Sequence, residues 1–126
     1  MSIVRHLIDA AKGKHPLTAK RSGSWPRVRA EHLKANPCCV VCGGTEKLQV
    51  HHKNPFHLDP SLELDPSNLI TLCEAGKGGI NCHLAWGHLG SFKAFNPTVE
   101  ADAAIWRAKV KARPLALTTE GEPACN

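Results

Sequence analysis

Two cysteine pairs bracket a double histidine, and the second pair ends against a third histidine. In order, the chain reads Cys39-x2-Cys42, His51-His52, Asn68, Cys73 and Cys82-His83. A C-x2-C turn aims two sulfurs at one tetrahedral ion, and a second pair elsewhere completes the shell. Cys39 and Cys42 form the first pair and Cys73 and Cys82 the second, with Gly76, Gly78 and Gly79 letting the loop between them fold back. Four thiolates leave no open coordination position, so the expected ion is a structural zinc. The competing reading is a set of buried free cysteines. Cys38 is an alternative to Cys39, but the two-residue spacing favours Cys39, and Cys125 reads as a bystander. The histidines between and after the thiolates are then available for a second, catalytic metal and for a base.

Short elements must position these side chains. Leu48 to His51 alternates apolar and polar and reads as a strand; Asn68 to Cys73 is β-rich and reads as its partner or an extended return. Between them, residues 53–67 hold Pro55, Pro60 and Pro66 and are expected to be loop. Cys38 to Gly44 resembles a metal knuckle, with Gly43-Gly44 supplying the turn. Cys82 to Leu89 reads as a helix, interrupted or ended by Gly87 and Gly90.

Flanking helices are expected on both sides. One covers 25–36, with Trp25, Val28 and Leu33, opened by Pro26 and closed by Asn36-Pro37. The other is capped by Asn96, starts at Pro97 and stops at Pro114. Its acids, Glu100 and Asp102, sit at the positive end of the helix dipole, and Arg107, Lys109, Lys111 and Arg113 at the negative end. Its stripe of Ala103, Trp106 and Val110 reads as core packing. Ile3, Leu7 and Ile8 suggest a short helix over residues 2–11, ended by Gly13 and Pro16, with a linker over 17–24. The expected organisation is a basic arm over 1–24, a core over 25–96, a C-terminal helix over 97–114 and a flexible tail over 115–126. The fold class is α+β.

At 126 residues one domain is expected, with a core small enough that a metal staple is a common supplement. Aromatic residues are only 5% and tyrosine is absent, which thins that core further. A hydrophobic content of 42% excludes a fully disordered chain. The net charge of +5 favours a polyanionic partner, nucleic acid before membrane. Residues 1–36 carry eight basic residues against Asp9 and Glu31, so the remainder is about neutral. That arm is either a solvated segment or one that tracks phosphates. Met1 to Ala11 has no signal-peptide pattern, and no apolar run is long enough to span a bilayer. A cytoplasmic location follows, where cysteines read as metal ligands rather than disulfides.

On Val50-His51-His52, Asn68-Leu69 and Cys73 through Cys82-His83, the chain resembles the HNH endonuclease family of ββα-metal nucleases. Trp25, the Asn36-Pro37-x-Cys39 approach and Pro55 share the likeness. The motif core spans 39 to 83, and the gap from Cys73 to Cys82 is longer than the two residues common in the family. The resemblance implies a ββα-metal core with a four-cysteine zinc site and flanking helices. It matches His52 to the general base and His51 and His83 to ligands of the catalytic divalent ion. Asn68 matches the residue that orients the loop carrying the base.

The chemistry is consistent with those roles. Phosphodiester hydrolysis needs an activated water and a cation against the charge growing on phosphate. A neutral imidazole is a good base near pH 7. Adjacent strand residues face opposite ways, so His51 and His52 can share a site only at a strand end or distortion. His57 and His88 are candidate extra ligands, whereas His6, His15 and His32 read as incidental.

The expected activity is therefore metal-dependent DNA endonuclease cleavage giving 5′-phosphate and 3′-hydroxyl ends. Mg2+, Mn2+, Ni2+ and Zn2+ are the candidate catalytic ions. Arg21, Arg27, Arg29 and Lys53 would hold a double-stranded DNA backbone without reading sequence. The small size suits a phage or mobile-element nuclease working with a packaging or recombination machine. The rival reading is a non-catalytic zinc-ribbon module that binds nucleic acid, which leaves the ordered histidines unexplained.

Overall fold

Two strands carry ligands from both clusters. In the computed structural model, which describes residues 20–76 and 79–112, β1 (Leu48–His52) pairs antiparallel with β2 (Leu69–Cys73). The register runs from Leu48 opposite Cys73 to His52 opposite Leu69. The sequence L-I-T-L-C is apolar at nearly every position, and all five residues of β2 are buried. β1 alternates, and only His51 in it is fully buried. The short core gathers Val41, Ile70, Leu72, Val99 and Ala103 around Cys39, Cys73 and Cys82. The helix expected over 2–11, residues 17–19 of the linker, Lys77-Gly78 and the tail over 115–126 lie outside the described residues.

Helix α1 (Trp25–Ala35) follows Ser24 and holds Pro26 in its first turn, where a missing N–H costs nothing. Asn36 closes it: its backbone N–H donates to His32 O at 2.7 Å and its side chain donates to the same oxygen at 3.1 Å. The loop after β1 contains two 3-10 turns, Pro60–Leu62 and Pro66–Asn68. Each is capped by the aspartate of an Asp-Pro-Ser triplet, which accepts from the serine N–H, Asp59 from Ser61 and Asp65 from Ser67. The second turn absorbs Asn68, so β2 begins one residue later than expected.

The helix expected within Cys82 to Leu89 is a π-helical turn over His83–Gly87, ended at Gly87. Two expectations need correction. The final helix, α2 (Val99–Lys111), starts after Thr98 rather than at Pro97. Asn96 is instead a buried junction, donating to Trp86 O at 2.9 Å and to Asp102 Oδ2 at 2.7 Å and accepting from Thr98 N at 3.0 Å. The predicted apolar stripe also divides. Ala103 is buried, but Trp106 is 43% exposed and packs at the surface against Trp86. The core is too small to cover a second face of α2. The architecture is α+β, a two-stranded antiparallel sheet with helical elements around it.

Candidate metal centres and active site

Two groups of ligand-type side chains converge among the described residues: Cys39, Cys42, Cys73 and Cys82, and His51, His83 and His88. Within each, the ligand atoms lie within 4.8 Å of one another.

The thiolates sit at the end of the sheet. Gly43 N donates to Cys39 O, Cys39 N to Gly44 O and Gly44 N to the Cys42 sulfur, closing the knuckle. Gly43 has φ +76°, which is why the turn favours glycine; an added Cβ would stand 2.6 Å from the Arg107 guanidinium, the flexible end of a side chain that could move aside. Cys73 arrives from the end of β2, its sulfur 3.7 Å from that of Cys42. Cys39, Cys73 and Cys82 are at most 2% exposed. Crowding prevents four thiols from ionising together. Bonds from Cys42 and Cys82 depress Cys39 to about 2, while sharing with Cys39 raises Cys42 to about 11. Cys82 is also raised, chiefly by Cys39. A tetrahedral cation would let all four be thiolates, and this donor set fits zinc. Cys38 is buried but disulfide-bonded. That corrects the expectation that no cysteine pairs. Cys125 lies outside the described residues.

The histidine group is built from β1 and the π-helical turn. His51 is 4% exposed and faces the turn; His83 opens the turn and His88 follows it. On an α-helix, residues five apart point about 140° away from each other at about 100° per residue. A π-helix bonds i to i+5, which stacks them. The unexpected turn type is therefore what brings His88 to His83, with ring centroids 4.7 Å apart. Gly87 permits the close fit: a Cβ there would meet His51 Nδ1 and Leu72 Cδ1, each at 3.2 Å.

Proton positions follow from the partners. His83 Nδ1 lies 3.0 Å from Glu74 Oε1, and His88 Nδ1 lies 2.8 Å from Ala94 O. A carboxylate and a carbonyl only accept, so both Nδ1 atoms donate. The two Nε2 atoms then face each other as lone pairs 3.2 Å apart, and His83 Nε2 is also 3.2 Å from His51 Nδ1. Facing lone pairs need a proton or a cation between them. Burial opposes the proton: it lowers His51 to about 3, and it lowers His83 despite the opposing hydrogen bond from Glu74. Three imidazoles aimed at one point fit a divalent transition metal with open positions left for other ligands.

His52 leaves β1 on the other side, tilted against Trp25 at 4.6 Å between ring centroids. Its Nε2 lies 2.9 Å from Glu63 O, so Nε2 donates and Nδ1 carries the lone pair. Burial lowers its pKa, the Glu63 carbonyl partly opposes this, and the Arg21 charge adds to it. Buried Asn68 ties the intervening loop shut. Its Oδ1 accepts from Asn54 N at 2.8 Å, and its Nδ2 donates to Asn54 O and Leu62 O. His51, His52, His83 and His88 all line one cleft of about 320 Å³. β1 ends at His52, which is where neighbouring side chains can reach one opening.

The HNH endonuclease family model matches residues 39–86. No curated protein and no solved structure matches the chain. An HNH domain points to a nuclease-type or nucleic-acid-binding function. The match takes in both ligand clusters except His88, which stands two residues beyond it.

The basic residues do not gather into one patch. Arg21 lines the histidine cleft, 4.2 Å above the Phe56 ring and 3.4 Å from Glu63. Arg27 pairs with Glu31 and Arg29 with Gln49, both from α1. Lys53 lies 2.8 Å from Glu100 and lines a separate groove of about 540 Å³ with Arg107 and Lys111. That groove is larger, but among the described residues neither converging ligand group lines it, whereas the three histidines line the smaller cleft. His57 is exposed at that cleft and stands outside the converging three. Glu63 and Glu74 had no signal in the sequence, because each acts through a contact between distant segments. Among the described residues no helix is long and apolar enough to cross a membrane.

Proposed function

We propose that this chain is a metal-dependent DNA endonuclease in which His52 is the general base and His51, His83 and His88 hold the catalytic divalent ion. The facing Nε2 lone pairs of His83 and His88, both with their protons committed outward, carry the reading. Such an ion would neutralise charge at the scissile phosphate and the departing 3′-oxygen.

The chain's own residues supply the rest. His52 takes a proton from the attacking water at Nδ1, because Glu63 O holds the other nitrogen as a donor. The same carbonyl steadies the imidazolium that forms. Asn68 is a positioning residue, fixing the loop whose Leu62-Glu63 segment meets His52. Arg21 in the cleft contacts phosphate, and Phe92, 62% exposed on the rim, meets sugar or base. Arg27 and Arg29 on α1 extend the phosphate contacts, Lys53 supports them from the neighbouring groove, and His57 contacts phosphate rather than metal. The bond cleaved is P–O3′, leaving 5′-phosphate and 3′-hydroxyl ends. The four thiolates hold zinc as a staple, and double-stranded DNA is the substrate.

Supercoiled plasmid incubated with wild type and His52→Ala, with EDTA or with Mg2+, Mn2+, Ni2+ or Zn2+, tests this. Nicked or linear product from wild type alone, lost with EDTA, is expected. DNA binding without cleavage under any of these ions would favour the non-catalytic zinc-ribbon reading.

A further inference from the structure

We propose that Glu74 is the positioning residue of the histidine centre, fixing the tautomer and rotation of His83 and thereby setting the centre's affinity for a divalent ion. The inference rests on reading His51, His83 and His88 as a metal centre.

The three imidazoles are held in three different ways. His51 is wedged between Gly87 and the sheet. His88 is held by the backbone carbonyl of Ala94 at 2.8 Å, an acceptor that side-chain substitution leaves in place. His83 is held by a side chain, through Glu74 Oε1 at 3.0 Å. A neutral imidazole carries one proton, and whichever nitrogen holds it cannot ligate. Glu74 is acceptor-only when ionised, so it keeps the proton on Nδ1 and leaves Nε2 as the ligand atom. With the carboxylate removed, His83 is free to place its proton on Nε2, inside the cluster, where it blocks binding. Hydrogen-bonded partners of this kind orient a metal-binding histidine and raise its basicity.

Glu74 is not itself one of the converging ligands, because it bonds the ring nitrogen that faces away from them. Its side chain is 39% exposed, which by itself would leave the hydrogen bond to His83 open to competition from water. The backbone compensates. Glu74 directly follows Cys73, and His83 directly follows Cys82. Those cysteines are 1% and 0% exposed within the thiolate cluster. One closed cluster thus anchors both ends of the Glu74–His83 contact, and the separation between them is set by the zinc ligands. This gives the staple a second consequence: it holds the residue that prepares the other centre.

The test uses the full chain with zinc at the thiolates, in wild type, Glu74→Ala and Glu74→Gln. Nickel(II) uptake is followed by calorimetry, and imidazole tautomers by nitrogen NMR before nickel is added. Glu74→Ala should bind nickel about 10- to 100-fold more weakly, the range for lost partners of metal-bound histidine. It should keep its zinc, and its His83 should lose the Nδ1–H tautomer. Glu74→Gln keeps an acceptor oxygen and should restore both the tautomer and most of the affinity. Nickel uptake by Glu74→Ala equal to wild type overturns the proposal while the metal-centre reading survives. No uptake by wild type overturns that reading and this role with it.

Discussion

The two ligand clusters are neighbours along the chain and opposites in setting. The thiolates lie within the core, beside Val41, Leu72 and Val99, and none of them lines either of the two clefts described above. The histidines lie at the edge of the same sheet, with one side buried and the other facing a cleft of about 320 Å³. A closed donor set commits an ion to structure, whereas an open one leaves coordination sites for chemistry. The two are also linked through the backbone: Cys73 directly precedes Glu74 and Cys82 directly precedes His83, so the thiolate cluster fixes the positions from which the Glu74–His83 contact is made.

That asymmetry is open to attack. Cys42→Ser should remove zinc and, with it, metal-linked folding free energy on the order of 10 kcal/mol. Both centres should be lost together, measured as zinc content and a melting curve. Full zinc with unchanged melting would mean the thiolate site is wrongly drawn. His52→Ala should act only on the open side. Plasmid cleavage should fall about 10²- to 10⁴-fold, the usual contribution of a general base, with zinc content and melting intact.

A pH series separates the clusters further. His51 is held near 3 by burial when folded, against an ordinary value of 6.5 when unfolded. Between those values the unfolded chain binds the extra proton, so stability is full above about 6.5 and falls as pH drops towards 3. One such group contributes a slope of about 1.4 kcal/mol per pH unit. Urea unfolding of the zinc-loaded protein from pH 7 down to about 5.5 measures it. An equal slope in His51→Ala would assign the effect elsewhere.

Smaller effects are expected from two further changes. Gly87→Ala pushes a methyl against His51 and Leu72, each 3.2 Å from the added Cβ. It should cost about 1–3 kcal/mol in stability, as overpacking does, and weaken nickel uptake. Normal uptake would show that the turn has slack. Lys53→Ala breaks a contact whose Glu100 partner is 75% exposed, so stability should move by less than about 1 kcal/mol. If Lys53 meets phosphate, the salt dependence of DNA binding should weaken by about one unit of slope. An unchanged slope would assign Lys53 to the groove alone.

The elements that were easiest to read were those whose chemistry is local. Pro26 with Asn36 bounded α1, and the alternation of Leu48 to His51 marked β1. What escaped was non-local. Asn96 and Pro97 look like a helix start, yet Asn96 is drawn into a buried bond with Trp86 O, and α2 begins after Thr98. Trp106 looks like core, but the few buried residues cannot cover it. His88 was a candidate extra ligand beside His57 because it lies about one helical turn beyond His83; an ordinary helix would still point the two rings apart, and the π-helical turn is what joins them.

The ordered cysteines and histidines, by themselves, pointed to two ligand sets, one of them a four-thiolate set that fits a structural zinc. Residue type fixes which atoms can bind metal, and a two-residue spacing fixes a turn that aims both sulfurs at one point. Only the tertiary structure decided which histidines converge and where their protons sit. A π-helical turn lifted His88 into the cluster. Contacts to Glu63, Glu74 and Ala94, none of them adjacent in sequence to the imidazole it meets, selected the nitrogen each ring offers. An imidazole has two accessible tautomers until a partner selects one of them, and those partners meet only on folding.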